Sequence, residues 1–277
     1  MDYKLLALDV DGTLLRRDGS INPDDRAAVA RLRASGVPVT ICTGRLYSGS
    51  SGVARSLEIE GPIACVDGSH IVDLDGDRSL FYQTIAGADA ASLRDVIAGH
   101  PSPTFLFAND NIVHDVSGEP FAAYVRTWSP NITVVDRVTD HPSWEHAQGV
   151  VAVVSVGAAA HIEAAVVELR RRLDHAAFIL SFPVGRLEGM AAMVIRAKGP
   201  TKGTAVGWLA RHHGCNPAEV VVVGDWLNDV PMFQAAGRSF AMGQAPDHVK
   251  REATDALIAD GLNGGGVAEA IARAFGI

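Results

Sequence analysis

Short, unbroken apolar runs separated by helical stretches are what most restricts the folds open to this 277-residue chain. Residues 3-YKLLALDV-10, 37-VPVTICTG-44 and 62-PIACVDG-68 read as strands buried on both faces, and 219-EVVVVGD-225 and 239-SFAMG-243 repeat the texture near the end. Between and after them, residues 23–36, 45–59, 202–214, 228–237 and 264–276 read as helices. Asn22 suits an N-cap, Pro23 the first helical position and Gly36 the position past the last turn. A strand apolar on both faces needs cover on both sides of its sheet, and strand–helix–strand alternation makes that sheet parallel.

The middle has a different rhythm. Residues 69–84 read as a hairpin around Asp75-Gly76. Strands follow in pairs at 104–110, 111–116, 150–157, 177–183 and 190–197, with a helix over 158–173. Paired strands with intervening helices point to an α+β module on an antiparallel sheet. The expected fold class is α/β: a Rossmann-like core with a mostly parallel sheet, plus an inserted α+β domain. The expected boundaries are 1–84 and 198–277 for the core and 85–197 for the insert.

Composition narrows the partners. The charge balance, 24 basic against 32 acidic residues, gives −8 and argues against nucleic acid or an anionic membrane surface. A small phosphorylated molecule is compatible with it, because a local pocket can be positive on an acidic protein. Cys42, Cys65 and Cys215 are scattered with no CxxC, which suggests a reducing compartment and no disulfide framework. The start, MDYKLLALDVDG, lacks a basic leader region, and the longest apolar stretch, 149-GVVAVVSVGAAA-160, is too short and Gly-interrupted to span a bilayer. A cytoplasmic protein, monomer or homodimer, is expected.

In open parallel sheets ligands sit beyond the C-terminal strand ends, and every polar cluster of note falls there. Asp9 and Asp11 close the first strand, Thr43, Gly44 and Arg45 the second, and Asp67, Gly68 and Ser69 the third. Asp225, Asn228 and Asp229 follow the strand of 219–225, and Lys202 opens a helix. Carboxylates that face one another must bind a cation or protonate. Oxygen donors without a Cys/His cluster suit Mg²⁺ rather than zinc. A carboxylate can attack phosphorus to give an acyl phosphate that water then hydrolyses. Mg²⁺ and a lysine offset the charge repulsion, and backbone N–H groups in Gly-containing turns hold phosphoryl oxygens. A second carboxyl two residues on can protonate the leaving group.

Four ordered motifs carry a resemblance. They are 9-DVDGTL-14, 41-ICTGR-45, Lys202 within 199-GPTKGTAV-206, and 224-GDWLNDVPMF-233. With the closing segments 240-FAMGQAPDHVKREATDAL-257 and 264-GGGVAEAI-271, the chain resembles the haloacid dehalogenase-like phosphatases. The branch is the Cof-type one (subfamily IIB), with a large C2-type α/β cap between the second and third motifs. The resemblance implies a Mg²⁺-dependent phosphatase acting through an aspartyl-phosphate on Asp9, with sugar phosphates as the expected substrates. It implies Asp9 as nucleophile, Asp11 as acid/base and Lys202 as the neutralising cation. It implies Gly12, Thr43, Gly44, Arg45, Lys202 and Asn228 as substrate contacts. It implies Asp9, Asp11, Asp225, Asn228 and Asp229 as the metal's surroundings. Trp226 stands where the family has a small residue, Asp67 where it often has Asn, and Gln244 where Asn is common.

Each feature has a simpler explanation in isolation. Asp9 and Asp11 could cap a turn, and Thr43-Gly44 could be an ordinary strand-to-helix turn; the ordered set outweighs both. Most lysines are solvated, and only its motif singles out Lys202. Residues 73-DLDGD-77 resemble a calcium loop, but Arg78 stands where an EF-hand needs Gly, so a hairpin turn is expected. Trp226 is expected to pack. Arg126, Trp128, Trp144 and Arg186 are the insert's candidates for reading a leaving group. The rival functions are a phosphotransferase or phosphomutase on the same scaffold, a signalling receiver domain, and a non-catalytic phospho-ligand binding protein. A receiver has no need of the insert, and no key motif residue is missing.

Overall fold

The computed structural model describes residues 3–184 and 187–277. They form two compact units. One comprises the chain up to Arg45, Ser50–Phe81 and Pro200–Ile277, and the other Leu46–Gly49 and Tyr82–Gly199.

The first unit is built on a five-stranded sheet in the order Asp255–Ala256, Arg238–Ala241, Val220–Gly224, Leu5–Leu8, Val39–Ile41. Every pairing is parallel, with Leu5 opposite Val220 and Leu6 opposite Val39. Leu5–Leu8 and Val220–Gly224 are buried along their whole length, as strands covered on both faces must be. Leu5, Ala7, Val220 and Val222 pack with Val206, Leu209 and Phe233 from two of the covering helices. Helix Pro23–Ala34 starts at Asn22, whose side chain accepts the Asp24 N–H, and Gly36 past its end has φ +90°.

The third strand runs in the expected direction but gains a second partner. Pro62–Cys65 lies parallel to Val39–Ile41 through a Cys42–Ala64 bridge, with the Thr43 N–H on the Ala64 carbonyl at 2.9 Å and the Thr40 hydroxyl donating to the Pro62 carbonyl at 2.7 Å, and it pairs antiparallel with His70–Asp73. His70–Asp73 and Arg78–Tyr82 complete a three-stranded sheet. Asp75-Gly76 lies in its turn, and Asp73 and Asp77 pair with Arg78 and Arg55.

Asp25 locks two distant helices together. It is fully buried on Pro23–Ala34, and its carboxylate accepts the N–H groups of Gly265 (2.8 Å) and Ala268 (2.7 Å) at the start of helix Gly266–Phe275. Asp25→Ala strands both donors, so a loss of about 3 kcal/mol is expected in urea unfolding. A loss below about 1 kcal/mol would contradict this account of the cap.

The second unit carries a six-stranded sheet in the order Ala177–Pro183, Met190–Ala197, Ala152–Ala158, Thr104–Ala108, Asn111–His114, Ile132–Val134. Its pairings are antiparallel except between the last two strands. Helices Gly87–Gly99 and Ala159–Leu173 cover one face, placing Leu93, Ile97 and Leu169 in one core with Leu106, Val153 and Ile195. Trp144 belongs to that core, with its indole N–H donated to the Val138 carbonyl at 2.8 Å. Trp128 packs against Phe107 and Tyr124, and Arg126 is exposed. Arg186 lies outside the described residues.

The helix expected over 45–59 shrinks to Ser51–Ser56. Within the second unit, the Leu46 N–H bonds the Trp128 carbonyl at 3.0 Å and the Ser48 N–H bonds Asp110 Oδ1 at 2.9 Å. Gly49 lies so close to the Trp128 carbonyl that a Cβ there would come within 2.2 Å of it. No helix among the described residues is long and apolar enough to cross a membrane.

Candidate active site

The site lies at the C-terminal ends of the parallel strands. Asp9 directly follows Leu5–Leu8, with its N–H on the Val223 carbonyl at 3.0 Å and its side chain buried. Lys202 begins helix Lys202–His212, whose start is fixed by reciprocal bonds: Thr204 N–H to Thr201 Oγ1 (3.1 Å) and Thr201 N–H to Thr204 Oγ1 (2.9 Å). The lysine is 1 % exposed. Its Nζ donates to Asp9 Oδ1 at 2.6 Å and Asp229 Oδ1 at 2.5 Å. The other oxygen of Asp229 accepts the N–H groups of Asp225 (2.8 Å) and Trp226 (2.9 Å). Asp229 therefore ties the lysine to the loop that carries Asp225.

Asp225 fills the space beside Gly12. A Cβ on Gly12 would sit 2.4 Å from Asp225 Oδ2, and φ there is +79°, so both space and backbone require glycine. Gln244 braces the pair: its Nε2 donates to the Gly12 carbonyl (2.6 Å) and Asp225 Oδ2 (3.1 Å), while its Oε1 accepts the Gly261 N–H (2.7 Å). One oxygen each of Asp9, Asp225 and Asp229 lie within 4.8 Å of one another.

Such crowding shows in the protonation equilibria. Burial pushes the Asp9 carboxyl well up; Lys202 opposes this, and the neighbouring carboxylates of Asp229, Asp225 and Asp11 add to it. Burial, then the Asp229 charge, push Asp225 up to about 7. Burial disfavours the Lys202 ammonium, but Asp229 and Asp9 outweigh it and hold the lysine well above its ordinary value. One buried ammonium among three carboxylates leaves negative charge uncompensated. A hard, all-oxygen donor set in that state fits a small divalent cation such as Mg²⁺.

The shift on Asp225 has a sign that can be measured. A carboxyl whose folded-state pKa lies above its unfolded value adds stability below the unfolded pKa, and that stability is lost as pH rises through about 7. Without metal, wild type is expected to lose stability relative to Asp225→Asn between pH ~5.5 and ~8, by roughly 5 °C in melting temperature. Added MgCl₂ should stabilise wild type more at the higher pH, because a cation takes the place of a proton. A magnesium shift independent of pH would contradict this.

Asp11 is set apart from the three. Arg45 grips both its oxygens, Nε to Oδ2 at 2.8 Å and Nη2 to Oδ1 at 2.5 Å. The Arg45 N–H also bonds Thr43 Oγ1 at 3.2 Å. Gly44 makes no backbone N–H hydrogen bond among the described residues, so that donor is open to an anion. The Asn228 amide donates to Asp67 Oδ1 at 2.8 Å, and that oxygen lies 3.4 Å from where a Gly44 Cβ would be. Val66 and Asp67 have φ of +47° and +50°, strained for non-glycine residues and doubly so for a β-branched one.

The structure thus gathers Asp9, Lys202, Asp225, Asp229 and Gly12, and holds Asp11 with Arg45 and Asn228 with Asp67. Gln244 and Asp67 emerge as braces of the site; the sequence marks them only as departures from a motif. Trp226 does not pack as expected: it is 47 % exposed, because Asp229 fixes its backbone at the rim.

Residues 6–271 match the family model for haloacid dehalogenase-like hydrolases. A pyridoxal phosphate phosphatase of Escherichia coli, YbhA, is 26 % identical over 91 % of this chain and 92 % of its own length. The 5-amino-6-(5-phospho-D-ribitylamino)uracil phosphatase YwtE of Bacillus subtilis is 25 % identical over 94 % of this chain and 95 % of its own. A crystal structure of a haloacid dehalogenase-like hydrolase from Bacteroides thetaiotaomicron superposes with a TM-score of 0.81 at 26 % identity, covering 99 % of this chain and 100 % of that one.

Proposed function

The chain belongs to the haloacid dehalogenase-like hydrolases, and on that premise we propose that it hydrolyses a small phosphorylated metabolite through a phosphoryl intermediate on Asp9. It is a phosphoric monoester hydrolase of the Cof type. The observation that carries the finer reading is the state of Asp9. One oxygen is held by Lys202 at 2.6 Å, and among the described residues the other accepts no hydrogen bond.

That second oxygen attacks phosphorus, and the P–O bond to the leaving alkoxide breaks as the aspartyl-phosphate forms. Lys202 offsets the repulsion between Asp9 and the incoming phosphoryl group. The Thr43 hydroxyl and the Gly44 N–H hold phosphoryl oxygens, and Gly12 leaves room for the Asp225 carboxylate. Asp11 gives its proton to the departing alkoxide, then takes one from the water that attacks phosphorus and frees Asp9. To do so it must exchange Arg45 for the leaving oxygen, which releases the guanidinium to bind phosphoryl oxygens. Mg²⁺ held by Asp9, Asp225 and the Asp11 carbonyl, with Asp229 and Asn228 orienting that shell, would neutralise phosphoryl charge.

The second unit is proposed to read the leaving group. The names of two relatives point to phosphates of heterocyclic compounds, and family resemblance also points to sugar phosphates. Phosphate release from a panel spanning both classes, with MgCl₂ and with EDTA, tests the reading. Release only with metal is expected; no release from any ester with metal would sink it.

A further inference from the structure

The loop that carries Asp225 also carries an aromatic side chain that the chemistry above leaves unused. Trp226 is 47 % exposed, and none of the described residues stacks on its indole. Its main chain is held in place. The N–H bonds Asp229 Oδ2 at 2.9 Å and the carbonyl accepts the Asp229 N–H at 3.0 Å, around a carboxylate that is itself fully buried. The indole therefore stands at the rim on a fixed support.

A second exposed apolar residue follows another neighbour of Gly12. Leu262 is 59 % exposed and follows Gly261, whose Cα lies so close to the Gly12 carbonyl that a Cβ would come within 2.3 Å. Gln244 bridges Gly261 and Gly12, while the Asp225 carboxylate occupies the space beside Gly12. Trp226 and Leu262 are thus each the next residue after one that touches Gly12. A polyol leaving group needs hydrogen-bond partners at such a rim, and a leucine and an indole face offer none. A flat unsaturated ring gains from both.

We propose that Trp226 is a specificity residue whose indole stacks on a planar, unsaturated leaving group of the phosphomonoester, with Leu262 packing at the ring's edge. The inference rests on the Asp9 chemistry proposed above and narrows its substrate class from small metabolites in general to aromatic or heteroaromatic alcohol phosphates.

Benzyl phosphate and cyclohexylmethyl phosphate test it. They match in charge, size and primary alkoxide and differ in flatness. With MgCl₂, wild type is expected to favour benzyl phosphate about tenfold in kcat/KM. Trp226→Leu should bring the ratio to about one, chiefly through KM, as loss of a contact made equally in ground and transition states requires. Trp226→Phe should keep most of the preference. A wild-type ratio near one, or a ratio unchanged in Trp226→Leu, overturns the stacking role and leaves the Asp9 chemistry standing. Release from neither ester by wild type overturns the stacking role, and overturns the Asp9 chemistry as well where the metabolite panel above also gives no release.

Discussion

Asp9→Asn is expected to lower kcat for phosphate release by at least about 10³-fold while the protein keeps its fold. The amide matches the carboxylate in shape but cannot form the acyl phosphate. Folding should survive because Asp9 is a strained charge: burial pushes its carboxyl well up. Lys202 retains Asp229 at 2.5 Å when Asp9 is neutral. Steady-state phosphate release and a thermal melt read the two effects separately. Activity within tenfold of wild type would remove Asp9 from the chemistry.

The second large effect is on the lysine. Lys202→Met replaces a 1 % exposed ammonium with an apolar chain of similar length and leaves Asp9 and Asp229 buried together without their cation. Removing one partner from a buried ion pair costs about 3–5 kcal/mol, because the orphaned charge stays in the interior. Urea unfolding should show a loss of that order, and phosphate release should fall to background. Adding Asp9→Asn to Lys202→Met should restore part of the stability, since one orphaned charge is removed. Strict additivity of the two changes would mean that the Lys202–Asp9 contact carries no coupling.

What the chain discloses before folding follows from how local each feature is. Leu5–Leu8 and Val220–Gly224 are legible because burial on both faces leaves a run with no polar alternation. The start of helix Pro23–Ala34 is legible because Asn22 and Pro23 act on their own neighbours. Pro62–Cys65 reads as one more parallel strand and bridges Cys42 in that sense, but its antiparallel pairing with His70–Asp73 is not legible, because an apolar run does not name a second partner. The loss of helix at Leu46–Gly49 is invisible for a similar reason: Asp110 and Trp128, which hold that segment, lie far along the chain.

The same holds for the site. Asp9, Lys202, Asp225 and Asp229 are legible as motifs, yet Lys202 and Asp9 stand 193 residues apart, and only the fold reveals that one ammonium serves two carboxylates. The Arg45–Asp11 clamp and the Asn228–Asp67 bond join residues from different strand ends, and no spacing rule reports such a pair. The exposure of Trp226 depends on where Asp229 pins its backbone, which the residue's own chemistry, favouring burial, would not foretell.

Rapid-quench mass spectrometry during turnover reaches the central claim most directly. Enzyme mixed with a hydrolysable phosphomonoester and MgCl₂, quenched in acid and digested, should carry one phosphoryl group on the peptide of 9-DVDGTL-14, mapped to Asp9 and absent from Asp9→Asn. Substrate consumed with no covalent phosphoryl group at any quench time, or a phosphoryl group on another residue, would contradict it.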